Sequence, residues 1–228
     1  MRTIDTRPIG AGGDEAMISM GRRDEIAGAT WFARTGHPYL LVDRDHTMVA
    51  ANAAYEAVTG HPWPALAGEK VFDVFPDNPD EPGVNAVASL SASLERVLSV
   101  GRRDWMGVQR YDVPDRHHAG RFVRKVWVPV NSPVLEGGRT VAVLHHVEDV
   151  TAVAAPGPTG VTPAVEDEAR RLGRRFPGLP FNAVLGVLVH SCLVAAQIHG
   201  APDMHTARRL AVLRLEVLAG HPAEAVED

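Results

Sequence analysis

The adjacent pair His145–His146 sits in a run of alternating residues, "TVAVLHHVEDV", over 140–150. In an extended strand successive side chains point to opposite faces, so the two imidazoles must part. Val141, Val143, His145 and Val147 share one face, while Ala142, Leu144, His146 and Glu148 share the other. His145, on the all-valine side, is expected to point inward and His146 outward. An inward imidazole needs a partner, because an unpaired buried polar group costs about 1–3 kcal/mol. Either a neighbouring side chain or a bound ligand can supply it. Two further strand-like runs carry polar groups of suitable type. Gln109 and Tyr111 share a face in "MGVQRYDV", and Lys125 and Trp127 share one in "RFVRKVWVPV", with Asn131 further along that face if the strand stays regular through Pro129.

Other reactive residues point away from catalysis. His117 and His118 are neighbours in a polar turn, too close together for a tetrahedral metal site. His190, His199 and His205 lack the i, i+4 spacing that sets two imidazoles on one helix face. Ser191–Cys192 lies within an apolar helical run, the setting of an inert thiol. No G-x-S-x-G, H-E-x-x-H or C-x-x-C occurs. The arginine pairs at 170–171, 174–175 and 208–209 read as solvated helix faces. The acidic loop "VFDVFPDNPDEPG" (71–83) is punctuated by three prolines. It fits a rigid connector that caps the next helix, or a lid over a pocket; its donor pattern is not that of a calcium loop.

The elements that must position these groups follow from periodicity. Residues 1–35 comprise a Gly/Pro-punctuated start and an amphipathic helix over 14–32 with Met17, Met20, Ile26 and Trp31 on it. "PYLLVD" and "TMVAA" read as paired strands, and Asn52 as the N-cap of a helix ending at Gly60. Apolar Leu90, Leu94, Val97 and Leu98 mark a long helix over 87–100, and three strands in a meander follow. The expected class is α+β, one antiparallel sheet with helices on one face. The small-residue stretch 152–163 reads as a linker, and 164–228 as three helices in an all-α bundle separable from the domain over 36–151. The middle helix is apolar, but Asn182, His190, Ser191, Gln197 and His199 interrupt it. It is expected as a core helix, not a membrane span.

Composition sets wider bounds. The 228 residues are 45% hydrophobic and 22% charged, with net charge −5, so no chain-wide field favours nucleic acid or an anionic membrane. The lone Cys192 rules out an intramolecular disulfide framework and fits a reducing cytoplasm; no secretory signal is read at the start. Arginine greatly outnumbers lysine, which is confined to Lys70 and Lys125, a bias expected of a GC-rich bacterial genome.

Over 36–151 the chain resembles the PAS domain family. The resemblance rests on "PYLLVDRDHTMVAANAAYEAVTG", "LAGEKVFDVFPDNP", "SLERVLSVG" and "VAVLHHVEDVT", with Asn52, Gly60, Asp149 and Thr151 at recurrent family positions. It is similar to a bacterial subfamily of sensor kinases and stand-alone regulators, and the last three segments distantly resemble small bundles of actinobacterial regulators. The resemblance implies a five-stranded antiparallel sheet crossed by the long helix, with a small molecule between them. On that reading His145, Gln109, Tyr111, Lys125, Trp127 and Asn131 are the ligand-binding candidates. The implied function is a cytoplasmic sensor that signals through protein contacts, as a homodimer with an unidentified protein partner and without nucleic acid or membrane. A small organic ligand is the expected occupant. Haem is an alternative, although the helix 87–100 carries no histidine; a PAS-based enzyme and a ligand-free dimerisation module are the rival functions.

Overall fold

The computed structural model describes residues 17–156 and 160–220. Residues 14–16 of the expected first helix, 157–159 of the expected linker and the tail beyond 220 lie outside them. The N-terminal periodicity resolves into two short helices, α1 (Met20–Gly28) and α2 (Thr30–Ala33), parted by extended Ala29. Ser19 starts α1 by accepting a hydrogen bond from the Arg22 amide at 3.1 Å. Ile26 and Phe32 are buried, whereas Met17, Met20 and Trp31 stay exposed.

β1 (Tyr39–Asp43) and β2 (Met48–Ala51) form the expected hairpin, and α3 (Ala53–Thr59) follows directly. Asn52 caps α3 through the Tyr55 amide, and Gly60 closes it at φ +74°, a left-handed conformation that a Cβ would strain. Two one-turn helices, α4 (Trp63–Leu66) and α5 (Val71–Val74), lead through the acidic loop to α6 (Ala86–Val100). The loop is a tied connector: Asp77 Oδ1 accepts from the Val87 amide at 3.0 Å, which caps α6 from a distance, and Asn78 donates to Asp112 at 2.9 Å.

The sheet runs β2-β1-β8-β7-β3, all antiparallel, with β7 (Val126–Glu136) and β8 (Arg139–Asp149) as its long central pair. Its last position, expected as one strand, is split into β3 (Asp104–Trp105) and β4 (Gln109–Arg110), both paired to β7. The break falls at Gly107, whose φ is +73° and whose Cβ position lies 3.1 Å from Asn182 Oδ1. A side ribbon, β5 (Val113–Pro114) and β6 (Phe122–Val123), stands off the sheet.

Helices α3 to α6 pack on one face over Leu40, Val42, Trp127, Val143 and Val147. The other face is covered too. α1 and α2 bury Leu41, Val134 and Ala142, and the C-terminal helices α7 (Pro163–Arg175), α8 (Phe181–His199) and α9 (Met204–Gly220) bury Val126, Val128 and Val150. The three helices thus share their core with Val126 and Val128 of the sheet and with Val150 after it. Val141, expected on the inward face, falls instead in the α1-side cluster, because the β7–β8 register shifts between Val134 and Leu135. α8 is long and apolar enough by composition to cross a membrane, yet half of its most apolar stretch is buried inside the protein.

Candidate functional site

Between the sheet and α6 lies a cavity of about 50 Å³. Its walls include Tyr55 of α3, Leu90 of α6, Gln109, Tyr111, Trp127 and His145. Four of the six sequence candidates therefore meet there. Lys125 does not line it: its ammonium pairs with Asp149 at 2.5 Å and lies over the Trp127 ring. Asn131 stands behind the wall, bonded to His145. Of the stretch 71–83 only Val71 and Phe75, ahead of the prolines, line the cavity, and none of 76–83 does, so this stretch acts as the capping connector described above and not as a lid.

His145 is the centre of a buried relay. Its Nδ1 lies 2.6 Å from Asn131 Oδ1, and Asn131 Nδ2 donates to Ser93 Oγ at 2.7 Å. Ser93 in turn meets Asp104 Oδ2 at 2.5 Å, a carboxylate also held by Arg96 at 2.8 Å. A carboxylate only accepts, so the Ser93 hydroxyl donates to it and must accept from Asn131. That orients the amide with its oxygen toward His145, which makes Nδ1 the protonated nitrogen and Nε2 the acceptor. Burial first, and the charge of His146 second, push the His145 pKa down to about 3. The imidazole is therefore neutral around pH 7 and offers the cavity one lone pair.

The other polar walls are mostly tied. Tyr111 donates to the Phe75 carbonyl, Trp127 Nε1 donates to the Tyr111 carbonyl at 2.8 Å, and Gln109 Nε2 donates to the Met106 carbonyl at 2.8 Å. Tyr55 differs. Burial raises its pKa, and its hydroxyl makes no hydrogen bond among the described residues. Periodicity missed Tyr55, since a seven-residue helix gives little to orient it. It also missed Ser93, although a serine between Leu90, Leu94 and Val97 on an apolar stripe was a usable signal. A haem does not fit this site: a porphyrin is far larger than the cavity, and α6 has no histidine to hold one.

The family profile described as PAS fold matches residues 32–155, more than half of the chain, and the chain belongs to that family. Solved structures with similar folds include the Rhodobacter sphaeroides LOV protein, 18% identical, covering 89% of this chain and 97% of that one at a TM-score of 0.45. A PAS domain from Colwellia psychrerythraea is 12% identical, covering 54% of this chain and 93% of that one at 0.42. The phage VqmA–DPO complex is 14% identical, covering 81% and 84% at 0.39. No curated protein matches.

Proposed function

We propose that this chain is a cytoplasmic sensor that binds a small, mostly apolar molecule carrying one hydrogen-bond donor, and signals through altered contacts with another protein. The observation that carries this reading is the orientation of His145. His145 lines an apolar cavity together with Tyr55, whose hydroxyl makes no hydrogen bond among the described residues, while His145 Nδ1 starts a relay that ends at Asp104 and Arg96 near the surface. A donor bound at Nε2 would polarise that relay, and hydrogen bonds in series strengthen one another. Phenol, an apolar ring with one hydroxyl donor, serves as a probe, and the cavity of about 50 Å³ must open to admit it. Calorimetric titration with phenol, alongside native mass spectrometry of fresh protein, tests the site. His145→Ala is expected to weaken phenol binding about tenfold, the loss of one buried hydrogen bond, and to lose any co-purifying mass. His146→Ala on the opposite face should leave both within about twofold by the same reasoning. Equal effects of the two substitutions, or no binding and no added mass in the wild type, would sink the assignment.

The same reading includes a homodimer. Met17, Met20 and Trp31 leave a set of large apolar side chains in water at the N-terminal helices, 64%, 72% and 52% exposed, and such a patch is best buried against its own copy. Ile26, also expected at this interface, is already buried within the chain. The double substitution Met20→Glu/Trp31→Glu is expected to shift sedimentation from dimer to monomer. A monomeric wild type, or a dimer indifferent to both charges, would refute this interface.

A further inference from the structure

The outward face of β8 holds a second group of ligating side chains that the cavity does not use. His37 Nδ1 and His146 Nε2 both approach the same oxygen of Glu148, at 2.6 Å and 2.9 Å. These three ligand atoms lie within 4.8 Å of one another. They stand on the wall of a cleft of about 720 Å³ between α1–α2, the outer sheet face and the helices α8 and α9. We propose that His37, His146 and Glu148 form a binding site for one divalent transition metal ion of the zinc type, with a coordination position open to the cleft.

The geometry is close to what such an ion requires. Zinc takes imidazole nitrogen and carboxylate oxygen at about 2.0–2.2 Å, which sets tetrahedral ligand atoms roughly 3.3 Å apart. The two separations must widen by about 0.7 and 0.4 Å for an ion to enter, and the two imidazole nitrogens, within 4.8 Å of each other, must close on it. Two imidazoles and one carboxylate form the ligand set of open zinc sites, in which the remaining position takes water or another ligand. The protons now shared with Glu148 have somewhere to go. A neutral imidazole carries one proton on either nitrogen, so a shift to the other ring nitrogen frees the lone pair facing the ion. His37 has room for this, with a side chain 55% exposed.

The ligands are also held in advance. His146 and Glu148 are two apart on a central strand, and β1 pairs with it in a register that sets Tyr39 opposite His146. His37 is pinned just ahead of β1, because its carbonyl accepts from the buried Asn52 amide at 2.8 Å. His190 of α8 and Arg214 of α9 line the same cleft.

Untagged full-length protein, dialysed against EDTA, should bind one Zn²⁺ per chain in calorimetric titration, with a micromolar or tighter Kd. Co²⁺ in its place should give visible d–d absorption of the intensity that marks four-coordination. His37→Ala, at an exposed position where folding should be unaffected, is expected to weaken Zn²⁺ at least about tenfold, as is Glu148→Gln. The double variant His117→Ala/His118→Ala should remain within about twofold of wild type, since neither residue touches the ligands. Thermal unfolding of the metal-free variants checks their fold, and if Glu148→Gln is misfolded, His37→Ala decides. No saturable binding below millimolar Zn²⁺, unchanged affinity in His37→Ala, or equal loss in the His117/His118 variant would overturn the proposal.

Discussion

Asn52→Ala is expected to lower the stability of the protein by on the order of 3–5 kcal/mol, among the largest effects available to one side chain. Asn52 is 3% exposed and uses both ends of its amide twice. Its oxygen accepts from the amides of Tyr39 and Tyr55, at 3.0 and 2.9 Å, and its nitrogen donates to the carbonyls of Phe32 and His37, at 2.9 and 2.8 Å. One side chain therefore ties α2, β1 and α3 together. Truncation strands buried backbone groups that no water replaces, and each costs about 1–3 kcal/mol before relaxation. Asn52→Asp should be no better, because a carboxylate would face two carbonyl oxygens. Urea unfolding followed by circular dichroism measures the change. Asn85→Ala is the control, at an exposed N-cap whose side chain makes no cap bond, and should cost less than about 0.5 kcal/mol. A loss below about 1 kcal/mol for Asn52→Ala would show that the clamp is not energetically coupled to folding.

Gly186→Leu should destabilise the protein by about 2–3 kcal/mol, even though leucine favours a helix by almost 1 kcal/mol over glycine. Gly186 is buried in α8 where the helix meets β7, and a Cβ built there lies 2.8 Å from Val128 Cγ1. Valine is stiff at χ1 and sits in the shared cluster, so the helix or the strand must move. The substitution thus separates two pictures of the C-terminal helices. If they form a unit that touches the sheet only lightly, the propensity gain wins and stability rises. If the sheet completes their core, stability falls, and Val128→Ala in the same chain restores part of it. Denaturant midpoints at constant slope distinguish the cases.

Local chemistry alone determined much of this protein. Asn52 and Gly60 mark the ends of α3 because capping and left-handed closure depend on a few neighbouring residues. The alternation in 140–150 separated His145 from His146, because pleat parity is a property of one strand. The α+β class followed from the order of such elements, and the PAS fold from the resemblance that the segments over 36–151 carry. What pairs with what across the fold was beyond that reach. Lys125 shares a strand face with Trp127 but turns to Asp149 instead of the cavity, since an ion pair with a carboxylate near the end of β8 was available only after β7 and β8 had aligned. Val141 changed sides through a register shift that no single-strand pattern encodes. The helices after the linker read as self-contained because their own periodicity was strong, yet Val126 and Val128 of β7 complete their core. His37 met His146 and Glu148 for the same reason: residues 111 apart in the chain become neighbours only when β1 lies against β8. Sequence sets the faces that an element presents, whereas the free energy of burying those faces against one another decides which side chains share a site.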